Sequence, residues 1–168
     1  IDAKSHDGST LLHNPFVMRL LPDWVGKWLQ DLDVHAANAE GIEPVHICAG
    51  FGLEQSARHL NAAGANWLRV TPDARTTLHF AAEYRNMPMA LWLLAQGVPL
   101  SAKDQQGRSA LLQILRSCPQ HSLAEVAAAL LKRGEPLAMP DLRRWLESGL
   151  QRLEQNGVAL LSAANLYL

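Results

Sequence analysis

The feature that most constrains the fold of this chain is a pattern that recurs at one fixed interval. The step from His13 to His46 equals the step from His46 to His79, and we call this step the repeat interval. Each histidine follows an apolar residue in a segment that opens with a polar turn. Self-similarity at one fixed period indicates a stack of equivalent small units rather than one irregular core. The aligned segments are "DGSTLLHNPFV" (7–17), "EGIEPVHICAG" (40–50), "DARTTLHFAAE" (73–83) and "QGRSALLQILR" (106–116).

The second half of each unit recurs in the same phase. "HLNAAGANWL" (59–68) aligns with "WLLAQGVPLS" (92–101), so that Gly64 and Gly97 are also separated by one repeat interval. In the first unit Asp31 stands at the position of these glycines. The repeat therefore covers whole units, not only the histidine segments.

The fourth unit carries an insertion. The step from Gly97 to Gly134 is longer than the step from Gly64 to Gly97, which places four extra residues within "RSCPQHSLAE" (116–125). Pro119 cannot continue a helix, and it disfavours helical geometry in the residue before it. We therefore expect a longer loop around 117–122.

The third unit shows what one unit folds into. Thr76 can cap a short helix from about Thr77 to Tyr84, and Pro88 suits the first turn of a second helix. Gly97 can end that helix in the left-handed conformation. One helix pair is too thin to bury its own apolar side, so stacked neighbours must cover it. The apolar side of the second helix is predicted to contain Ala90, Leu91, Leu93 and Leu94.

These segments resemble the ankyrin repeat, whose pattern runs Gly-x-Thr-Pro-Leu-His-x-Ala-Ala and then Leu-Leu-x-x-Gly-Ala. The resemblance covers about residues 5–137. It implies an all-α solenoid of about four helix-turn-helix repeats in a single domain. The repeats are expected at approximately 5–37, 38–70, 71–103 and 104–140, with C-terminal cap helices at 141–168.

The two outer repeats diverge from the pattern. Pro15 falls inside the expected first helix of repeat one, where it should kink or end that helix. In repeat four, Leu112 stands at the histidine position. Divergent terminal units are typical of capping repeats. Beyond Pro140, Asp141 is a candidate N-cap and Gly157 a candidate stop for a first cap helix.

Three evenly spaced histidines could be metal ligands, acid–base groups or structural elements. The resemblance implies that they are structural, each ring bonding nearby backbone to brace the turn between repeats. Residues on units stacked about 10 Å apart form a ladder. They cannot share one zinc ion, whose ligands lie about 2.0–2.1 Å from it. We expect no metal, no cofactor and no catalytic residues, and the sequence carries no HExxH, GxSxG or Gly-rich phosphate loop.

Charge and cysteine content limit the partners and the compartment. A net charge of −1 argues against binding to nucleic acid or anionic membranes. Cys48 and Cys118 are the only cysteines and do not form a disulfide framework, which favours a reducing, cytoplasmic environment. Periplasmic or secreted locations stay open, because a targeting segment removed before the first residue would be invisible. Cys48 is expected to be a buried apolar residue.

The resemblance implies a non-enzymatic module that binds another protein through the concave surface of the solenoid. That surface consists of the turn tips and the outward positions late in each first helix. Phe51 and Tyr84 are in phase and should lie on adjacent steps of it, or else pack over neighbouring helices. The candidate partner-binding residues are Ala39, Glu40, Ile42, Phe51, Pro72, Asp73, Arg75, Glu83, Tyr84, Gln105, Gln106, Arg108 and Arg116.

The choice of partner depends on a further hypothesis. A compact set of divergent repeats with an Ala/Leu/Arg/Trp-rich composition is similar to small bacterial ankyrin proteins. Some of those are immunity proteins that neutralise a cognate toxin, so we expect an inhibitor of this kind that is a monomer when free. The alternatives are a secreted bacterial effector and a regulatory segment of a larger protein.

Overall fold

The computed structural model describes residues 4–20, 29 and 31–117. The chain divides into two units, Ile1–Gly134 and Glu135–Leu168, and every described residue belongs to the first. The cap helices expected at 141–168 lie outside the described residues. So does the loop expected at 117–122, apart from Ser117, which is the last residue of a helix.

The described ranges are helical. A 3₁₀ turn spans Leu11–His13, and the β-structure within these ranges consists of two isolated antiparallel bridges, Val70–Thr76 and Lys103–Ser109. The all-α class is therefore confirmed for this part of the chain, whereas a solenoid of four repeats extends past it and stays a prediction. The α-helices are α1 (Pro15–Leu20), α2 (Pro44–Phe51), α3 (Glu54–Ala62), α4 (Thr77–Glu83), α5 (Met87–Ala95) and α6 (Ala110–Ser117).

Two complete helix pairs, α2–α3 and α4–α5, have the same local structure one repeat interval apart. Asn86 caps α5 by accepting a hydrogen bond from the Met89 backbone N–H at 3.3 Å, and Pro88 lies in the first turn, as predicted. Gly97 follows the end of α5 with a φ of +90°, in the left-handed region that favours glycine. Gly64 has the same role after α3.

The first unit confirms the expected effect of Pro15. Its first helix is a single 3₁₀ turn, after which Asn14 adopts extended geometry. The side chain of Asn14 then accepts hydrogen bonds from the backbone N–H groups of Phe16 and Val17, at 2.9 and 3.2 Å. Pro15 therefore starts α1, because its missing N–H costs nothing at that position.

Each unit begins with a turn that is closed by the same two backbone hydrogen bonds. In the turn that starts at Asn38, the Asn38 N–H donates to the Ile42 carbonyl at 3.0 Å, and the Gly41 N–H donates to the Asn38 carbonyl at 2.9 Å. The same pair of bonds recurs once in every repeat interval. The residues that start these turns are Ser5, Asn38, Thr71 and Asp104.

Backbone bonds also join neighbouring turns. The Ala39 N–H donates to the Asp7 carbonyl at 2.8 Å, and the Gln105 N–H donates to the Asp73 carbonyl at 3.0 Å. Pro72 stands at the equivalent donor position between these two and has no N–H. Its ring instead packs where a Cβ on Gly41 would lie, so glycine is required there both for space and for its φ of +72°.

The core follows the same period. Helix α2 packs against α4, and α4 packs against α6, so the first helices of successive units form a continuous row. Small residues at the contacts, such as Ala49 and Ala82, allow the helices to approach closely. Apolar side chains buried at equivalent positions in successive units stabilise this row of helices. The buried equivalent sets are Leu12, Val45, Leu78 and Leu111, and Cys48, Ala81 and Ile114.

Candidate functional site

The turn tips form one edge of the described units, and we call the predicted tip residues the turn edge. Ala39, Glu40, Pro72, Gln105, Gln106 and Arg108 are exposed, whereas Ile42, Asp73 and Arg75 are half-buried. Backbone bonds join the first turn to the second and the third turn to the fourth, and the Pro72 ring packs against Gly41 between the second and the third. The edge is therefore a preorganised surface along this part of the chain.

Arg75 is held within the protein. Its guanidinium lies 4.3 Å from the centre of the Phe80 ring and forms an ion pair with Glu83, and its side chain is 18% exposed. A cation over an aromatic face is attracted by the ring quadrupole. These contacts hold the third turn against α4. Arg75 and Glu83 form an ion pair, so they do not act as two separate charges.

Arg108 is also paired, but it stays more open to solvent. Its Nε lies 2.7 Å from Oδ2 of Asp104, whose Oδ1 accepts the backbone N–H groups of Gln106 and Arg108. Burial alone would raise the pKa of Asp104, but the hydrogen bonds from Arg108 outweigh it and hold the pKa below its ordinary value. Asp104 is therefore an ionised anchor at the base of the fourth turn.

Phe51 and Tyr84 lie side by side on adjacent units, and we call them the aromatic pair. Their ring centres are 5.1 Å apart with the planes tilted by 40°, and they remain 45% and 54% exposed. Tyr84 lies over Gly50, where an added Cβ would come within 3.2 Å of its ring. The two rings thus contact each other and keep about half their surface in solvent.

A shallow cleft of about 230 Å³ adjoins the aromatic pair at Phe51. It lies where α1 ends and where α2 passes into α3, so two units contribute to it. Another exposed aromatic, Phe16, is on α1 and is 73% exposed. The residues that line the cleft are Met18, Arg19, Phe51, Gly52, Leu53, Glu54, Gln55 and Ser56. The remaining candidate, Arg116, is on α6, and its side chain lies outside the described part of the structure.

The three histidines brace the backbone, as the resemblance implied. Nδ1 of His79 accepts the Thr76 N–H at 3.1 Å, and its Nε2 lies 3.1 Å from the Arg108 carbonyl. His13 makes the equivalent contacts to Thr10 and Ile42 at 3.0 and 2.9 Å. A backbone N–H can only donate, so Nδ1 must carry no proton and Nε2 must donate to the carbonyl.

These bonds require neutral rings. Burial lowers the pKa of His46 and of His79, because the charged imidazolium is disfavoured away from water. A proton on Nδ1 would also point at the backbone N–H from which Nδ1 now accepts a hydrogen bond. Within the described ranges, no group of three or more potential ligands is arranged to hold a metal ion.

The second unit departs from this pattern at Glu43, which stands where Thr10, Thr76 and Ser109 stand in the other units. Its carboxylate is 3% exposed, and Oε1 accepts from Arg69 Nε at 2.6 Å. His46 correspondingly bonds the Arg69 carbonyl, at 3.3 Å. Sequence reasoning missed this network, although a glutamate in a row of hydroxyl residues was a signal for it.

The Cys48 thiol lies in the core rather than at the surface. Cys48 is fully buried, and burial raises the pKa of its thiol, so that it is a packed apolar group as predicted. No helix in the described part of the chain is both long and apolar enough to cross a bilayer. What the described surface offers is a row of fixed turns and an exposed pair of aromatic rings.

Comparison with known proteins finds a similarity to a segment of an animal channel homolog. The chain is 29% identical over 109 residues to a transient receptor potential cation channel subfamily A member 1 homolog from Caenorhabditis elegans. The match covers 64% of this chain but only 9% of that protein. The likeness is therefore to one short segment of a much longer protein. No family model matches the chain.

Proposed function

We propose that this chain is a non-enzymatic protein-binding module of the ankyrin type, which binds a partner protein through the turn edge and the aromatic pair. The observation that carries the proposal is the exposed contact between Phe51 and Tyr84 on adjacent units. The regular repetition of turns and helices supports the same class, because stacked units of this kind present extended binding surfaces.

Aromatic rings held in this way suit an interface. Each ring offers a large apolar area with few rotatable bonds, so burying it against a partner loses little side-chain entropy. Residues of these types are enriched among those that dominate binding energy. Tyr84 is also held by its contacts with Phe51 and Gly50, so part of the ordering cost is already met in the free protein.

The turn edge complements the aromatic pair. Glu40, Gln105 and Gln106 are exposed and offer polar groups at the tips. Arg75 is held by Glu83 and Phe80, so its role is to fix the third turn for recognition. We propose that Ala39, Ile42, Pro72, Asp73, Arg108 and Arg116 belong to the same surface.

The finer proposal is an immunity or inhibitor protein that neutralises a cognate toxin, acts in the cytoplasm, and is a monomer when free. It takes its support from the sequence resemblance to small bacterial ankyrin proteins. Neither nucleic acid nor membrane is a proposed partner, because the net charge of −1 provides no electrostatic attraction to them. An effector role is an alternative of the same class.

A regulatory segment of a larger protein is the second candidate. The observation that favours it is the similarity to a segment that makes up 9% of a long channel homolog. Both candidates bind a partner protein. They differ in whether this chain acts as a separate inhibitor or as a segment of a larger protein.

Capture of a partner tests the general proposal. The tagged chain is incubated with lysate of its source organism, and the retained proteins are identified and titrated against the purified chain. We expect one stoichiometric protein partner. Expression of the adjacent gene alone then separates the candidates: growth arrest that this chain relieves supports the immunity role, and a harmless neighbour rejects it.

A further inference from the structure

Glu43 leaves one polar atom unexplained. Its Oε1 is bonded to Arg69, but its Oε2 is buried and has no hydrogen-bond donor in the described structure. Buried carboxylate oxygens are ordinarily paired, because they have lost their contact with water. The equivalent residues in the other units are hydroxyl residues and pose no such problem.

The basic group that faces this oxygen is His35. Its Nδ1 lies 3.9 Å from Oε2, and its side chain is about half exposed, so solvent protons reach the ring. The backbone N–H of His35 donates to Oδ1 of Asp33 at 2.9 Å, which fixes the loop that carries it. A neutral imidazole at 3.9 Å makes no hydrogen bond, whereas a protonated one attracts the carboxylate.

We propose that His35 and Glu43 form a proton-operated latch across the base of the second turn. His35 precedes the turn that starts at Asn38, and Glu43 follows its last residue, Ile42. Uptake of one proton by His35 creates an ion pair between the two, which closes the loop on both sides of the tip. The latch tightens as the pH falls.

The other charged groups at this junction do not produce the same effect. Arg69 is charged at every relevant pH and already bonds Oε1. His46 accepts the Glu43 backbone N–H through Nδ1 and bonds the Arg69 carbonyl through Nε2, so neither ring nitrogen donates to the carboxylate. The Asp33 carboxylate is engaged by the His35 backbone N–H through Oδ1.

A double-mutant cycle on the full chain tests the latch. The parent, His35→Gln, Glu43→Gln and the double variant are unfolded with urea at about pH 8 and about pH 5.5, which span the pH range in which histidine side chains in proteins commonly change charge. We expect the coupling between the two sites to change the unfolding equilibrium constant about 2- to 5-fold at the lower pH, and to be absent at the higher pH. His6→Gln combined with Glu43→Gln is the matched control, because His6 is another exposed turn histidine. Equal coupling at both pH values, no coupling at either, or the same change with His6→Gln would overturn the proposal.

A second measurement needs no change at Glu43, in case its variants do not fold. The backbone amide signals of Glu40 and Gly41 are followed by NMR across the same pH range in the parent and in His35→Gln. The latch predicts that these signals move in the parent and not in the variant. The same movement in both proteins would assign the pH response to another group and overturn the proposal. Both tests use the free chain, so they are independent of whether a protein partner is found.

Discussion

The Nε2 of His79 donates to the carbonyl of Arg108, 29 residues further along the chain, and so ties the first helix of one unit to the turn of the next. The same ring accepts the Thr76 N–H through Nδ1. A single neutral imidazole thus satisfies backbone groups on two units. His13 makes the same connection between the first unit and the second, to Ile42.

This arrangement predicts a loss of stability in acid. The pKa values of His46 and His79 lie below the ordinary 6.5, so below that pH the unfolded chain binds more protons than the folded one. Their contribution is therefore complete above about pH 6.5 and is lost as the pH falls through their lowered values. We expect the free energy of unfolding, measured by urea titration, to be nearly level between about pH 7.5 and about pH 6.5 and to decrease from there to about pH 5.

His79→Leu provides the control for that prediction, because Leu112 occupies the equivalent position in the fourth unit. The variant should lose about 1–3 kcal/mol at about pH 7.5, since the Thr76 N–H is left without its partner. Its stability should then decline less steeply toward acid than that of the parent. An unchanged slope would show that His79 does not take part in the acid response.

Two residues in the left-handed region predict stabilising substitutions. Ala74 has a φ of +61° and Arg85 a φ of +56°, at positions where the preceding unit has Gly41 and Gly52. A Cβ in this region costs about 1–2 kcal/mol, part of which glycine loses again through unfolded-chain entropy. Ala74→Gly and Arg85→Gly should each raise the free energy of unfolding by up to about 1 kcal/mol.

The matched control for these glycines is Ala63→Gly. Ala63 is exposed and follows α3 with a φ of −81°, so glycine removes no strain there. It should lower stability by about 0.5–1 kcal/mol. Glycine changes of the same sign at all three positions would contradict the conformational explanation.

Leu93 and Leu91 test the packing of the third unit. Leu93 is fully buried on α5, and Leu93→Ala should destabilise the protein by about 2–5 kcal/mol. Leu91 was expected on the same apolar side but is only half-buried, so Leu91→Ala should cost clearly less. Equal losses in thermal or chemical unfolding would place the two leucines in equivalent surroundings and contradict this register.

Local signals account for the part of the fold that was predictable. Thr76, Pro88 and Gly97 each favour a particular local geometry. Helix α4 spans Thr77–Glu83, against the predicted Thr77 to Tyr84, and α5 has Pro88 in its first turn and Gly97 just after its end. The cap at Asn86 and the positive φ of Arg85 were missed. Arginine has no preference for such a turn. Arg85 stands at the position of Gly52 in the preceding unit, and both residues adopt the left-handed conformation.

The site was less predictable because its contacts depend on where side chains meet in the folded structure. Arginine is common in protein interfaces, yet the guanidinium of Arg75 is held by Phe80 and Glu83 on α4. The network of Glu43, Arg69 and His35 joins residues from different segments of the chain, and its signal in the sequence is a glutamate where the other units have hydroxyl residues. The phase of Phe51 and Tyr84, in contrast, was enough to place them on adjacent units.

The affinity of a Phe51→Ala, Tyr84→Ala double variant for the captured partner tests the proposed binding surface most directly. Leu68→Ala is the control, because Leu68 is 55% exposed and is not one of the residues that line the cleft. With folding of all three proteins verified by their melting curves, the double variant should lose at least about 2 kcal/mol of binding free energy, while Leu68→Ala binds like the parent. Unchanged affinity in a folded double variant would contradict the assignment of partner binding to the aromatic pair.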